Sequence, residues 1–191
     1  MPPRTPPLPR QAVEPARISI EIRQLSAAGV DAALPALVQL LIDTVASGTP
    51  MGFLPPLSRD AGSDYFLSLR PDLAADRRVL IAAFAAGRLI GAGQLVLSPW
   101  SNSPHRAELQ KVFVASSVRG QGVGKALMLA LHEAARQRKR SLIVLNTRHG
   151  GSAQSFYRSL GYRESGVLPG WTLGPAGERY DHVTMYRQLT S

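Results

Sequence analysis

The feature that most constrains this chain is a β-branched segment that runs into a glycine-rich turn and then an amphipathic helix, between Val112 and Leu127. The glycines alternate through the turn, at Gly120, Gly122 and Gly124. The backbone there can take positive φ values or approach a bound molecule closely. The helix offers unpaired N–H groups and the positive end of its dipole, beside the charges of Arg119 and Lys125. This stretch is therefore predicted to bind a pyrophosphate.

The motif differs from two other phosphate-binding loops. A Walker A loop would need glycine in place of Arg119 and serine or threonine in place of Ala126. A dinucleotide fingerprint needs G-x-G-x-x-G after the first strand of a βαβ unit, whereas these glycines follow G-x-G-x-G past the middle of the chain. A glycine-rich turn that binds no ligand remains the alternative.

Length and composition exclude several protein classes. The 191 residues are enough for one domain with a substantial core, predicted over residues 17–191 after a disordered, proline-rich tail at 1–16. The chain has no cysteine, so a disulfide framework, a thiol nucleophile and a thiolate metal site are excluded. The four histidines are scattered and form no H-E-x-x-H pair, so no metal is expected.

The net charge of +9 suits an anionic partner. The arginines are spread along the chain, however, and no helix-turn-helix, zinc finger or RNP-type strand is present, so nucleic acid is not the predicted partner. No uninterrupted apolar run is long enough for a membrane span, and the N-terminus lacks the apolar region of a signal peptide. We expect a cytoplasmic protein without a membrane partner.

Hydrophobic periodicity predicts alternating strands and helices. The predicted strands are 17–25, 78–85, 88–97, 106–114, 141–147, 162–168 and 182–189. The predicted helices are 31–46, 58–69, one beginning at 123, and 152–160. Asp31 is the expected N-cap of the first helix, with Pro35 in its first turn, and Pro71 is expected to stop the second. In the fourth strand, simple alternation places four residues on one face: Glu108, Gln110, Val112 and Val114.

The pattern [Q/R]-x-x-G-x-[G/A] directly after a strand, here Arg119, Gly122 and Gly124, resembles the acetyl-CoA loop of the GNAT superfamily of N-acetyltransferases. The order of elements resembles that superfamily from residue 18 to residue 189. It implies an α/β fold with a mixed, largely antiparallel sheet of about seven strands flanked by four helices. Within the superfamily, the segments at 106–111, 155–162 and 168–171 and the loop at 52–53 are similar to the tabtoxin-resistance type of small-molecule acetyltransferase.

The resemblance implies acetyl-CoA as the cofactor, with its pantetheine amides paired to the backbone of the fourth strand in the manner of an added strand. The cofactor-binding residues implied are Val112, Phe113, Val114, Arg119, Gly120, Gln121, Gly122, Val123, Gly124, Lys125, Ala126, Asn146 and Ser152.

Acetyl transfer to an amine needs a base or a desolvating site, because an ammonium of pKa ~10 is almost fully protonated at neutral pH. Glu108 lies eleven residues before Arg119, where superfamily members with a direct glutamate base carry it, and is the predicted general base. A rim carboxylate paired with Arg106 is the alternative. Tyr157 matches the tyrosine that many members direct at the CoA sulfur, and is the predicted general acid. A packing role for Tyr157 is the alternative.

Two positions depart from the pattern. The tabtoxin-resistance type pairs its glutamate with an aspartate at the end of the fifth strand, but this chain has Asn146 there. An asparagine cannot accept a proton, so Glu108 would act alone or through water. Gly150 replaces an asparagine that many members use toward CoA.

The sequence thus predicts an acetyl-CoA-dependent N-acetyltransferase that acts on a small-molecule amine by direct attack in a ternary complex. The predicted acceptor contacts are Met51, Phe53, Trp100 and Trp171. A protein or peptide N-acetyltransferase of the same fold and a non-catalytic CoA-binding sensor are the alternatives. A monomer or a homodimer is expected.

Overall fold

A seven-stranded mixed sheet forms the centre of the fold, and the computed structural model describes residues 18–49 and 51–190. The strands are β1 (Glu21–Leu25), β2 (Arg78–Ala85), β3 (Arg88–Leu97), β4 (Arg106–Val114), β5 (Leu142–Arg148), β6 (Arg163–Leu173) and β7 (Arg179–Gln188). Their order in the sheet is β1-β2-β3-β4-β5-β7-β6. Only β4 and β5 run parallel among the described strands. The predicted fold class, with a largely antiparallel sheet, is confirmed.

Helices cover both faces of the sheet. They are α1 (Ala27–Ala46), α2 (Arg59–Ser68), α3 (Arg70–Ala74), α4 (Val123–Gln137) and α5 (Ser152–Ser159). In the described ranges, four of them have eight residues or more, which confirms the four predicted helices. The five-residue α3 was not predicted.

Each face of the sheet has its own apolar core. On one face the strands pack against α4 and α5, whose buried side chains include Leu127, Leu131 and Tyr157. On the other face they pack against α1 and α2, through residues such as Leu37, Leu41 and Phe66. The sheet therefore separates an α4/α5 side from an α1/α2 side, and this division decides which side chains meet at the site.

The predicted start of α1 is wrong. The helix begins four residues before Asp31, because the Ser26 hydroxyl accepts a hydrogen bond from the Gly29 amide at 3.1 Å and caps it. Pro35 lies inside the helix, beyond the first turn, where it removes one main-chain hydrogen bond. By length and composition alone α1 could span a membrane. Its buried residues instead pack on the sheet and on α2, as in the core helix of a globular protein.

The second helix ends before Pro71, as predicted, although Pro71 itself lies in a further short helix. The Ser58 hydroxyl accepts a hydrogen bond from the Ala61 amide at 3.1 Å and caps the start of α2, at the predicted position. That helix ends at Ser68, before Pro71, which lies in the first turn of α3. A proline is tolerated there because the first N–H groups of a helix have no partner within it. The chain thus continues from α2 almost directly into the short helix α3.

The hairpin of β2 and β3 has the predicted bounds. Ala86 and Gly87 connect the strands with φ values of 47° and 75°. Two consecutive positive φ values are those of a two-residue type I′ turn. This hairpin carries β4 on its outer edge, since β3 pairs with β4 along most of its length.

The strand β4 has the predicted bounds, but the predicted alternation of its side chains is wrong. Lys111 has φ of 48°, and the pairing with β3 shifts register at this point, which is a β-bulge. One extra residue reverses the alternation beyond it. Val112 and Val114 therefore pack on the α4/α5 side, opposite to Gln110, whose side chain contacts Arg78 at 3.4 Å on the α1/α2 side.

The last two strands are longer than predicted. The predicted loop at Pro169 and Gly170 is a register shift inside β6, because the pairing with β7 resumes beyond it. The strand β7 begins at Arg179, three residues before the predicted start. The strand β1 begins at Glu21, later than predicted. The predicted tail at 1–16 lies outside the described residues.

A buried polar group stabilises the packing of α4 on the last strands. His132 Nε2 lies 2.8 Å from the Tyr162 hydroxyl, and its Nδ1 lies 3.4 Å from the Arg187 guanidinium. A guanidinium can only donate, so Nδ1 accepts and Nε2 carries the proton. Burial, aided by the charges of Arg187 and Arg136, lowers the pKa of His132 to about 4. The imidazole is therefore neutral in the folded protein at neutral pH.

This low pKa predicts an acid-sensitive fold. Below the ordinary histidine pKa of about 6.5, His132 is protonated in the unfolded chain, whereas in the folded chain it stays neutral down to about pH 4. Above about pH 6.5, His132 is neutral in both the folded and the unfolded chain, and its contribution to stability is complete. As the pH falls from about 6.5 to about 4, this histidine lowers the free energy of unfolding by up to about 3 kcal/mol. In His132→Gln, which keeps an N–H donor for Tyr162, this part of the pH dependence should vanish in urea titrations. Equal pH slopes for both proteins would contradict the assignment.

Candidate active site

The candidate site lies where β4 and β5 separate. The two parallel strands are paired only from Arg106 to Glu108 on β4 and from Leu142 to Val144 on β5. Beyond that point, in the described chain, they share no further register pair, although each continues for several residues. A cavity of about 500 Å³ opens in this gap. Backbone amides and carbonyls on the facing edges of the two strands are thus available to a ligand.

Glu108 stands at the last paired position of β4 and lines the cavity. Its side chain is half-buried. The predicted alternative of an ion pair with Arg106 is not formed, since in the described part of the chain no cation lies within 4.0 Å of its carboxylate. The carboxylate is therefore available to a molecule in the cavity.

Tyr157 reaches the same cavity from α5, on the other face of the sheet. Its ring packs against Phe156 and Tyr162, with centroid distances of 5.4 and 5.7 Å, and only 8% of the residue is exposed. Burial raises the pKa of Tyr157 to about 12. The phenol is thus neutral over the whole physiological range and can donate a hydrogen bond into the cavity.

The cavity gathers several other predicted site residues. Those that line it are Met51, Val112, Asn146, Ser152 and Trp171. Two predicted acceptor contacts lie elsewhere: Phe53 packs edge-on against Tyr65, with centroids 5.4 Å apart, and Trp100 is exposed on the loop before β4. The side chain of Phe113 is buried in the core on the α1/α2 side, so only its backbone could contact a ligand.

The glycine-rich turn has the geometry of an anion site. Gly120 and Gly122 have φ of 78° and 86°, and a Cβ on either would meet nothing within 4 Å. Gly122 is the N-cap of α4, and no side chain bonds to the helix N-terminus. The first amides of α4 are therefore open to a phosphate group. Gly124 serves packing, since a Cβ there would lie 3.3 Å from the Phe156 ring.

The other residues of the turn lie at the surface near that helix end. Arg119 and Gln121 are exposed, as is Gly120. The Arg119 Nε is 3.4 Å from the Val114 carbonyl, which places the guanidinium between the end of β4 and the start of α4. Lys125 and Ala126 lie in the first turn of α4, after the buried Val123.

Asn146 is held by a neighbouring strand. The Thr184 hydroxyl on β7 donates to its Oδ1 at 2.7 Å. The amide oxygen is thus engaged, and the position that would hold a second carboxylate holds a neutral group. In the described chain, Glu108 is the one carboxylate that lines the cavity.

Sequence reasoning missed three charged or titratable residues of the cavity wall, which are Lys111, Arg148 and His182. The Arg148 guanidinium lies 3.6 Å from the Tyr180 ring centre. His182 is buried, contacts the Thr172 hydroxyl at 3.1 Å, and has a pKa lowered by burial and by Arg148. Arg148 and His182 meet because β5 pairs with β7, and local periodicity carries no signal for such a pairing.

No group of three or more His, Asp or Glu side chains within residues 18–49 and 51–190 is arranged to hold a metal ion.

The chain is similar to known proteins that are described as acetyltransferases. Residues 75–164 match the family model described as an acetyltransferase (GNAT) domain. An uncharacterized N-acetyltransferase of Methanocaldococcus jannaschii is 36% identical over 67 residues. That match covers 34% of this chain and 29% of the relative, so the chain aligns with less than a third of that relative's length.

Two solved structures extend the similarity to most of the chain. Ribosomal-protein-alanine N-acetyltransferase from Brucella melitensis has a TM-score of 0.71 and 26% identity, covering 88% of this chain and 99% of that one. A structure from Salmonella typhimurium, described as an acetyltransferase with its cofactor acetyl-CoA, has a TM-score of 0.73 and 16% identity. It covers 91% of this chain and 95% of that one, and at this identity it shows the fold alone.

Proposed function

The chain belongs to the GNAT superfamily of N-acetyltransferases, and on this premise we propose that it transfers the acetyl group of acetyl-CoA to the amine of a small molecule. The observation that carries the proposal is that Glu108 and Tyr157, which come from opposite faces of the sheet, line the same cavity in the gap between β4 and β5. One can accept a proton and the other can donate a hydrogen bond. The volume of about 500 Å³ suits the end of a cofactor and a small acceptor.

The uncapped N-terminus of α4 fits the phosphates of acetyl-CoA. Amides of residues 120–126 would hold the pyrophosphate, with charge from Arg119 and Lys125. The backbone of β4 at 112–114 has no strand paired on the β5 side in the described chain, so it is free to bind the pantetheine amides. Asn146 and Ser152 face the same gap. When bound, acetyl-CoA supplies an activated acetyl thioester.

Glu108 prepares the acceptor. Its unpaired carboxylate can take the proton of an incoming ammonium, directly or through water, which leaves the nitrogen lone pair free to attack. Asn146 cannot share this task, because an amide accepts no proton and its oxygen already binds Thr184. Direct attack needs no covalent enzyme intermediate, and the orientation of the two reactants in one cavity supplies much of the rate.

Tyr157 acts at the leaving sulfur as a hydrogen-bond donor. With a pKa of about 12, complete proton transfer to a thiolate of pKa ~8.5 would be uphill by about 5 kcal/mol. A hydrogen bond that strengthens as negative charge develops on the sulfur avoids that cost. The thiolate then takes its proton from solvent or from the proton held by Glu108.

The test is a thiol-release assay with acetyl-CoA over simple amines, amino acids and β-lactam-like dipeptides, with mass spectrometry of the products. Release of CoA together with an N-acetylated product is the expected result. Tight CoA binding without transfer to any amine would contradict the enzyme proposal and favour the CoA-binding sensor.

A peptide amine is the second candidate acceptor. The Brucella melitensis structure, 26% identical and aligned over nearly its whole length, is named for ribosomal-protein alanine. A short peptide that begins with alanine belongs in the same assay. If it were acetylated with a higher kcat/KM than every free amine tested, the acceptor would be a protein N-terminus.

We also propose that the enzyme works in the cytoplasm, because acetyl-CoA is available there and a chain without cysteine requires no oxidising compartment. A monomer or a homodimer remains the prediction for its assembly.

A glycine substitution should separate cofactor binding from stability. In Gly122→Ala, the Cβ meets no atom, but φ of 86° is strained for alanine by about 1–2 kcal/mol, so the turn shifts and the first amides of α4 lose their alignment. We expect the Kd for CoA, measured by calorimetry, to rise about tenfold. Gly87→Ala is the matched control, with φ of 75° and an equally open site in the β2–β3 turn. Equal CoA affinity in both variants would contradict the phosphate role.

A further inference from the structure

Lys111 is a cavity residue that the proposed mechanism leaves unused. The bulge in β4 turns this residue to the α1/α2 side, where its ammonium lies 5.5 and 5.6 Å from the ring centres of Phe53 and Tyr65. The side chain is half-buried and lines the cavity that holds Glu108. A flexible ammonium is thus held by two aromatic rings in the cavity that Glu108 also lines.

The charge of Lys111 is not neutralised by the protein. Within the described ranges, no carboxylate lies within 4.0 Å of its Nζ. Burial, and to a lesser degree the positive Arg78, lower the pKa of Lys111. An anion bound beside Lys111 would favour the charged ammonium and so oppose the effect of burial on its pKa. The cavity wall has two cations, Lys111 and Arg148, against the single carboxylate of Glu108 in the described chain.

The phosphates of CoA do not account for this cation. The open amides that fit the pyrophosphate belong to α4, whose core lies on one face of the sheet. Phe53 and Tyr65, which hold Lys111, belong to the core of the opposite face. The ammonium therefore faces the part of the cavity bounded by the loop between α1 and α2.

That loop closes on the ammonium through a glycine. A Cβ at Gly52 would lie 2.8 Å from Lys111 Nζ, which is closer than a carbon atom can approach. Met51 and Gly52 line the cavity at this point. The loop and the bulge together bring a positive charge to this part of the cavity wall.

We propose that Lys111 binds a carboxylate of the acceptor, so that the substrate is an amine that also carries an acid group, as an amino acid does. The proposal rests on the proposed acetyltransferase function and specifies its substrate class. Glu108 and Lys111 lie three positions apart on β4, and Glu108 alternates with Leu109 of the α4/α5 core, so both side chains are on the α1/α2 side. The acceptor would present its ammonium to Glu108 and its carboxylate to Lys111.

The test compares L-amino acids with their C-terminal primary amides in the thiol-release assay, because the members of each pair differ only in the acid group. The variants are Lys111→Met, which keeps the length but not the charge, and Lys111→Arg. Lys139→Met is the matched control, since Lys139 also has a positive φ, of 57°, but is exposed at the end of α4. Thermal unfolding and CoA affinity show whether each variant is folded.

For the wild type we expect kcat/KM to be at least about tenfold higher for the amino acids than for their amides. This difference would arise although the amides have the less basic amine, which is more often neutral and ready to attack at neutral pH. In Lys111→Met this ratio should fall to near one, mainly through KM. It should be retained in Lys139→Met and partly retained in Lys111→Arg. Amides used as well as acids, or an unchanged ratio in Lys111→Met, would overturn the proposal while leaving the acetyltransferase function intact. No transfer to any amine by a protein that binds CoA would overturn both.

Discussion

Replacement of Glu108 by glutamine is expected to lower kcat for acetyl transfer by about 10²- to 10³-fold at neutral pH. The amide has nearly the shape of the carboxylate but cannot accept a proton. The KM for acetyl-CoA should change little, because the cofactor contacts proposed above lie elsewhere, on the β4 backbone and the turn before α4. The residual activity should rise as the pH increases, since solution then supplies more of the neutral amine.

A matched control is Glu133→Gln, which alters an exposed carboxylate on α4 that lies 3.6 Å from Arg136 and accepts a hydrogen bond from Gln137 at 3.3 Å. This variant should keep wild-type kcat. If Glu108→Gln also kept wild-type kcat on every accepted amine, Glu108 would not be the base, and desolvation of the amine would have to suffice.

Replacement of Tyr157 by phenylalanine is expected to lower kcat by about 10²-fold, the usual cost of one hydrogen-bond donor to a developing charge. The ring would still pack against Phe156 and Tyr162, so the thermal stability should change little. Steady-state kinetics with acetyl-CoA and a preferred amine measure the effect. If Tyr157 donates to the sulfur, the substitution should lower kcat and leave the KM for the amine nearly unchanged.

Tyr162→Phe provides the comparison for this variant. Tyr162 is a buried tyrosine next to Tyr157, but its hydroxyl bonds to His132 at 2.8 Å, away from the cavity. Its loss should destabilise the fold by about 1 kcal/mol and leave kcat near the wild-type value. The same kcat in both variants would assign Tyr157 a packing role only.

Much of the fold could be predicted because local signals and tertiary structure agree. The bounds of β2, β3 and β4 follow from short apolar runs ended by turn residues. The start of α1 could not be predicted from Pro35, because Ser26 provides a cap further upstream and the packed helix tolerates the proline. The bulge at Lys111 has no local signature either, since a lysine with positive φ is held there only by the neighbouring strands and rings.

The residues of the candidate site likewise fall into those that could be predicted from the sequence and those that could not. Glu108, Tyr157 and the glycine-rich turn could be proposed from motif spacing and from resemblance to a family. Lys111, Arg148 and His182 could not, because the bulge and the β5–β7 pairing bring them to the cavity. Phe53, a predicted acceptor contact, does not line the cavity, and its ring centre lies 5.5 Å from the Lys111 ammonium. Motifs thus predict candidate residues for the proposed reaction, whereas the other charged residues that line the cavity are brought there by tertiary contacts.

The short pairing of β4 with β5 also has a thermodynamic consequence. Three register pairs join two halves of the sheet, β1 to β4 and β5 to β7, and the strands within each half are paired more extensively than this. A ligand that hydrogen-bonds to both edges would act as a removable strand, and its binding energy would add to the cohesion between the halves. Occupancy of the cavity and resistance to unfolding are then linked quantities.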